Sequence, residues 1–282
     1  MTPLRQRMIR DLTIRGRAQP TIRNYTQAVE RLARFYHCSP DLISEEEVQD
    51  YLYYLVNERN NSESTLNVTV SALRFLYGKT LKRAKGDFVI PAAKSRNKLP
   101  SVLSRDEVER IFDCTNNLRD LALLMLAYGD GLRISEAVQI LVSDIDGSRK
   151  AIHIRNGKGG KDRMGGLAER LHKTLQEYWK AYRPELWLFP SPKLPGFHIC
   201  TETARAIFVK AKVKAKITKD CSFHVLRHSF ATHLLEAGKG LREIQRLMGH
   251  KSLTSTLIYI HIAQGGLQQF DSPLDLPPSA KV

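Results

Sequence analysis

The sequence has little of what a membrane or secreted protein needs. Its 282 residues contain no uninterrupted apolar run of about 18 residues, the length that a transmembrane helix requires. The opening segment, MTPLRQRMIRDLTIRG, has neither the apolar stretch nor the small-residue cleavage site of a secretory signal. We therefore expect a cytoplasmic protein with no leader peptide and no membrane span.

Cysteine is also scarce, and its spacing forms no disulfide or zinc ladder. The four cysteines are Cys38, Cys114, Cys200 and Cys221. His198 with Cys200 and Cys221 with His224 together have the residue types of a zinc site, but these two pairs lie far apart in sequence. Small buried thiols explain these residues better. We expect a reducing compartment and no metal ion.

The sequence further lacks a Walker-type phosphate loop and a cluster of carboxylates suited to two metal ions. What it has in excess is positive charge, with 44 Lys and Arg against 29 Asp and Glu and a formal net charge of +15. Such a surplus favours a polyanionic partner, and nucleic acid is the most common one. On charge alone, a basic protein without such a partner remains an alternative.

Residues 1–85 have the periodicity of a helical domain. One predicted helix spans 21–36, and its apolar face consists of Ile22, Tyr25, Val29, Leu32 and Phe35. Ser44 to Glu47 form a capping box that begins another helix, and Ser62 is the predicted cap of a third. Residues 86–101 contain two prolines and several basic side chains, which is typical of an extended linker.

Residues 102–282 form the predicted second domain, which ends in a short proline-rich tail. Its predicted helices span 104–114, 118–128, 167–182, 201–215, 222–237, 241–248 and 254–262, the first opening on a capping box at Ser104 and Glu107. Residues 151–155 alternate like a strand, and the turn chemistry of Asn156 to Gly160 predicts a second strand beside it. The predicted fold class is mainly α with a small antiparallel β-hairpin or sheet.

Five short segments of this domain carry side chains suited to chemistry. They are GLRISE at 131–136, GKGGK at 157–161, HVLRH at 224–228, LMGH at 247–250 and TLIYIH at 256–261. Taken singly, each has an ordinary explanation: a solvated arginine, a turn, or a tyrosine in a core. In this order they resemble the catalytic domain of the tyrosine recombinase family, which includes Xer recombinases and phage integrases.

The resemblance implies a set of catalytic residues in this chain. They are Arg133, Lys158, His224, Arg227, His250 and the nucleophile Tyr259, supported by Glu136 and His228. His250 and Tyr259 lie nine residues apart, which fits the family. Residues 1–85 likewise resemble the family's SAM-like core DNA-binding domain. Lys161 lies at the same turn as Lys158 and is a rival for its role.

These residue types suit phosphoryl transfer at a DNA diester. Two guanidiniums can bind the non-bridging oxygens, where negative charge develops, through paired hydrogen bonds. A tyrosine phenol has a reference pKa of about 10, so it needs a base, and His224 is the expected one. Lys158 would protonate the leaving 5′-oxygen, and His250 would donate a hydrogen bond to the phosphate.

The implied activity is site-specific recombination of double-stranded DNA through a 3′-phosphotyrosyl intermediate and a Holliday junction. A homotetramer acting on two sites is implied, with no metal, ATP or other cofactor. The ending Ser272-Pro273-Leu274-Asp275 resembles integron- and transposon-associated members, which adds transposition to the expected roles.

One departure from the family follows the hairpin turn. The family has a β-branched residue and a proline before a leucine, whereas this chain has Gly165 and Gly166 before Leu167. Two glycines predict a loosened second strand. Two alternative functions stay open: a type IB topoisomerase that relaxes supercoils alone, and a DNA-binding module with a degenerate site.

Overall fold

The chain divides into two units, Met1–Lys98 and Leu99–Val282, each built around its own hydrophobic core. This is a computed structural model, and it describes residues 2–59, 61–83, 90, 100–157, 161–249, 256–257 and 259. Within the described residues, no helix is long and apolar enough to cross a membrane. The four cysteines carry free thiols.

The first unit is a bundle of helices with one apolar face each. They are α1 (Pro3–Ile14), α2 (Gln19–Tyr36), α3 (Glu45–Asn57) and α4 (Glu63–Phe75), followed by a π-helical turn at Leu76–Thr80. The capping box of Ser44 and the cap at Ser62 are both confirmed. Of the apolar face predicted for α2, Ile22, Val29 and Leu32 are buried and Tyr25 is half-buried. Phe35 is 40% exposed and packs its ring beside Tyr54.

In its described part, the second unit combines seven α-helices and a short 3₁₀ helix at Val142–Asp144 with a small sheet. The helices are α5 (Arg105–Asp113), α6 (Leu118–Gly129), α7 (Ile134–Val138), α8 (Glu169–Tyr182), α9 (Thr201–Lys214), α10 (Val225–Glu236) and α11 (Leu241–Met248). The strands are β1 (Ile145–Asp146), β2 (Ala151–Gly157) and β3 (Lys161–Gly166). The predicted fold class is therefore confirmed, although the pattern gave no sign of the two-residue strand β1.

The core of this unit surrounds α6, whose residues Ala122 to Ala127 are all buried. This helix packs against α8 on one side and α10 on another, and α10 in turn packs against α11. The chain leaves α6 through a turn at Gly131 and enters α7 directly. The C-terminal end of α6, the start of α7, α10 and α11 consequently meet in one place.

The sheet has the antiparallel order β1–β2–β3. In β3, Gly165 pairs with Ile152 and Gly166 pairs with Ala151. The prediction that two glycines loosen this strand is therefore wrong for the described residues, because β3 keeps its pairing through both of them. Alternation along β3 turns Arg163 and Gly165 inward and leaves Asp162 and Met164 exposed.

Candidate active site

Arg133 is placed by the turn that joins α6 to α7. Gly131 has a φ of +55°, and a Cβ there would lie 2.4 Å from the Phe230 ring, so this turn needs glycine. Arg133 then serves as the N-cap residue of α7. Its backbone N–H donates to Oε2 of Glu136 at 2.9 Å, and its guanidinium donates to Oε1 at 2.6 Å. The Arg133 side chain keeps 21% of its surface exposed, enough to meet a ligand.

Arg227 lies on α10 and is almost completely buried, with 4% of its surface exposed. Its Nη1 donates to the carbonyl of Gly131 at 2.5 Å, and its Nη2 donates to the carbonyl of Met248 at 2.7 Å. Burial, and next the guanidinium of Arg133, lower the pKa of Arg227 to about 10, so it stays charged at neutral pH. The two arginines that the sequence singled out are therefore brought to one place.

Glu136 is the shared partner of the arginines and is buried, with 5% of its surface exposed. Besides Arg133, it accepts a hydrogen bond from Nη2 of Arg163 at 3.0 Å, and Nη1 of Arg227 lies 3.9 Å away. Burial raises the pKa of Glu136, but the hydrogen bonds from Arg163 and Arg133 outweigh it and bring the pKa below its ordinary value. One carboxylate thus faces three guanidiniums, which leaves a net positive site.

Tyr259 lies against α10 and α11, in a small apolar cluster with Ala231, Ile244 and Met248. Only 2% of its surface is exposed. Its phenolic oxygen is 3.1 Å from Nδ1 of His228. Burial raises the pKa of the Tyr259 phenol, although the charges of Arg227 and Arg133 act in the opposite direction. The predicted nucleophile is therefore near the arginines but covered by protein.

The two histidines of the HVLRH segment differ in their surroundings. His228 is partly buried, and burial, then His224 and Arg227, lower its pKa to about 4, so its ring is neutral at physiological pH. His224 is exposed at the start of α10. Partial desolvation, followed by the charges of Arg227 and Arg133, lowers its pKa as well. Both rings are thus in the form that can accept a proton.

Two predicted site residues, Lys158 and His250, lie outside the described residues. The rival Lys161 begins β3. Among the described residues, no three His, Cys, Asp or Glu side chains gather in a way that could hold a metal ion. This includes the histidines and cysteines that the sequence marked as a weak zinc pattern.

Sequence reasoning missed two residues beside the site, Arg163 and Asp130. Arg163 contacts Glu136, and the signal that could have revealed it is a charged side chain at an inward position of β3. Asp130 ends α6 with 5% of its surface exposed. The backbone N–H of Gly166 donates to it, and a Cβ on Gly165 would lie 2.4 Å from its Oδ1. Gly165 therefore makes room for a buried carboxyl group, and Gly166 donates its backbone N–H to that group.

Comparison with known proteins covers both units. Residues 101–265 match the phage integrase family, and residues 4–87 match the phage integrase N-terminal SAM-like domain. The candidate integrase/recombinase y4qK of Sinorhizobium fredii is 39% identical over 282 residues, covering 99% of this chain and 90% of that protein.

One further relative and one solved structure extend the likeness. Tyrosine recombinase XerA of Pyrococcus horikoshii is 32% identical over 266 residues, covering 92% of this chain and 88% of its own. The crystal structure of a lambda integrase tetramer bound to a Holliday junction superposes with a TM-score of 0.75 at 20% identity, covering 91% of this chain and 76% of that one. At that identity, the superposition shows a shared fold.

Proposed function

Since this chain belongs to the phage integrase family of tyrosine recombinases, we propose that Tyr259 is the nucleophile with which it cuts and rejoins DNA. Family membership makes the protein a site-specific DNA recombinase. The observation that supports the residue assignment is the convergence of Arg133, Arg227 and Tyr259 around the start of α10 and the end of α11. Two guanidiniums and a phenol are the groups that a phosphodiester exchange needs.

We assign the reaction steps as follows. Arg133 and Arg227 bind the non-bridging oxygens of the scissile phosphate and stabilise the charge that develops there. The Tyr259 oxygen bonds to phosphorus while the bond from phosphorus to the 5′-oxygen breaks. The phenolic proton passes to His224, and Lys158 supplies the proton that the leaving 5′-oxygen takes up.

The rejoining step runs the same exchange in reverse. The 5′-hydroxyl of a partner strand attacks the 3′-phosphotyrosyl bond, and the phenol leaves. Glu136 keeps Arg133 oriented, and His250 donates a hydrogen bond to the transferring phosphate. Because the phosphotyrosyl ester retains the energy of the broken diester bond, no ATP is needed for resealing.

The position of Tyr259 corresponds to a resting state. With 2% of its surface exposed, its phenol is not accessible to a phosphate in solution, and its neighbour is the neutral ring of His228. We propose that His228 holds the phenol in this position and that DNA binding moves Tyr259 toward Arg133, Arg227 and His224. His224 would then accept the phenolic proton during cleavage, whereas His228 contacts the phenol in the resting state.

We propose the remaining features from the family and the neighbouring structures. Residues 1–85 bind DNA, 86–101 link the domains, and 102–282 catalyse. The substrate is a double-stranded recombination site, and the active form is a homotetramer on two sites. The lambda integrase tetramer bound to a Holliday junction supports this assembly. We place the protein in the cytoplasm, where its DNA substrate would be, and the element it serves is either a chromosome, an integron or a transposon.

The decisive experiment traps the covalent intermediate on a nicked suicide substrate that carries the cognate site. The wild-type chain should give a protein–DNA adduct on a denaturing gel, and Tyr259→Phe should bind DNA without forming one. Tyr128→Phe is a matched control, because Tyr128 also pairs with a histidine, His233, at 2.8 Å in the same unit. An adduct formed by Tyr259→Phe, or lost in Tyr128→Phe alone, would show that the nucleophile is another residue.

A further inference from the structure

Arg163 is an unusual residue for its place in the sheet. It lies on the inward side of β3, opposite Ile154 of β2, which is completely buried. Only 9% of the Arg163 side chain is exposed. Ionised side chains are rarely buried unless they are paired, so a buried guanidinium at this position calls for a specific role.

The contacts of Arg163 join three separate parts of the second unit. Its Nη2 donates to Oε2 of Glu136 at 3.0 Å, and its Nε donates to the carbonyl of Leu247 at 2.9 Å. Its Cδ lies so close to Gly249 that a Cβ on that glycine would be 3.1 Å away. A single side chain therefore connects the hairpin strand β3, the start of α7 and the end of α11.

The end of α11 is held by two arginines. The last carbonyls of a helix have no partner within it and carry partial negative charge, which favours cations there. Arg163 takes the carbonyl of Leu247, and Arg227 takes the carbonyl of Met248. The helix then stops at Gly249, whose φ is +60°. The end of α11, which packs against Tyr259 through Met248, is thus held by both arginines.

We infer that Arg163 is a positioning residue for recombination, which fixes Glu136 and the end of α11 without touching the DNA phosphate. The inference rests on the proposed roles of Arg133, Arg227 and Tyr259. Glu136 in turn holds the guanidinium of Arg133 at 2.6 Å, so a displaced Glu136 would displace Arg133. The Nη1 of Arg163 is buried and has no hydrogen-bond partner among the described residues, an arrangement that stability alone does not favour.

A positioning role and a purely structural role of Arg163 predict different pH dependences of the cleavage rate. The hydrogen bond from Arg163 is the largest of the effects that keep the pKa of Glu136 low against its burial. Without Arg163, the pKa of Glu136 rises, so Glu136 becomes protonated at a higher pH. A protonated Glu136 holds Arg133 less well. The cleavage rate of the variant should therefore fall on the acid side at a pH where the wild-type rate is still flat.

The test compares Arg163→Gln and Arg163→Lys with Arg155→Gln as the matched control. Arg155 lies on the adjacent strand β2, where it pairs with Asp144 at 2.7 Å and keeps 47% of its side chain exposed. For each full-length variant, single-turnover cleavage of the nicked substrate is measured from pH 5.5 to 8.5 with saturating protein. Duplex affinity is measured separately by fluorescence anisotropy.

We expect Arg163→Gln to cleave about 10–100-fold more slowly, the size of effect that follows from misplaced catalytic groups, with an affinity within about threefold of the wild type. Its rate should also fall toward low pH. Arg163→Lys retains the charge next to Glu136 but cannot bond Glu136 and Leu247 together as the guanidinium does. It should therefore keep the wild-type pH profile and recover only part of the rate. Arg155→Gln should match the wild type.

Three outcomes would overturn the inference. They are a wild-type rate in Arg163→Lys and Arg163→Gln, a loss of affinity equal to the loss of rate, and a reduced rate with an unchanged pH profile in Arg163→Gln. If Arg163→Gln does not fold, the cleavage rate of Arg163→Lys is decisive. A reduced rate at unchanged DNA affinity supports the inference, and a wild-type rate overturns it. Failure of the proposed function is distinguishable, because the wild-type chain itself would then form no adduct on the same gel.

Discussion

Replacing Asp130 with asparagine should stabilise the protein, and the gain should grow with pH. Asp130 is 5% exposed, and its Oδ2 has no hydrogen-bond partner among the described residues. Burial raises its pKa from the ordinary 3.8 to about 7, against the opposing effects of the Gly166 N–H and the charge of Arg163. The folded chain therefore keeps a proton here that the unfolded chain has lost.

The sign and size follow from proton linkage. Between pH 3.8 and about 7 the folded state binds more protons at Asp130 than the unfolded state. The free energy of unfolding consequently falls by about 1.4 kcal/mol for each pH unit in that interval. From pH 5 to pH 7 this amounts to roughly 3 kcal/mol. Asparagine has nearly the same shape and does not titrate, so Asp130→Asn should escape this loss.

Thermal unfolding at pH 5, 6, 7 and 8 would measure the effect. A change of 1 kcal/mol moves the melting temperature of a unit of this size by about 2–4 °C, so the gap between the variant and the wild type should widen by roughly 6–12 °C from pH 5 to pH 7. Asp113→Asn is a suitable control, because Asp113 is exposed at the end of α5. A gap for Asp130→Asn that stays constant across this range would refute the reasoning.

Gly165→Ala should lower the melting temperature in the wild-type chain, because its Cβ would lie 2.4 Å from Oδ1 of Asp130. The same change in an Asp130→Gly background should cost much less, and equal costs would contradict this packing. Glu136→Gln should destabilise the chain by about 3–5 kcal/mol in denaturant unfolding, since it leaves buried guanidiniums without their carboxylate. Arg133→Ala and Arg227→Ala should each slow cleavage by about 10²–10³-fold in the suicide-substrate assay, with a much smaller change in DNA affinity. Equal losses of rate and affinity would mean that these arginines only anchor DNA.

Much of the fold could be predicted because its signals are local. The capping boxes at Ser44 and Ser104 fix where helices begin through bonds within three residues, and both are present. The strand at residues 151–155 alternates in polarity and forms β2. The exposure of Phe35 could not be predicted in this way, because helical periodicity gives the apolar face of a helix but not how much of that face a neighbouring helix covers. Its exposure of 40% reflects tertiary packing.

In the candidate site, too, some residues could be predicted from the sequence and others could not. Arg133, Arg227 and Tyr259 could be named because an ordered signature connects them over a long stretch of sequence. Arg163 and Asp130 could not, since their importance depends on contacts with residues distant along the chain. The glycine pair at 165–166 illustrates why: a pattern rule treats it as a weak point in a strand. At Gly165 the actual reason is the space that Asp130 occupies, whereas a Cβ on Gly166 would meet no atom within 4 Å.

The burial of Tyr259 also bears on how such an enzyme would avoid damaging the wrong DNA. A basic protein with a net charge of +15 will bind genomic DNA of any sequence through its phosphates. If exposing the phenol requires free energy, that free energy has to come from contacts that only a correct site provides, which is selection by induced fit. Discrimination would then act on covalent attachment as well as on affinity. Random encounters would end in dissociation, with the chromosome unbroken.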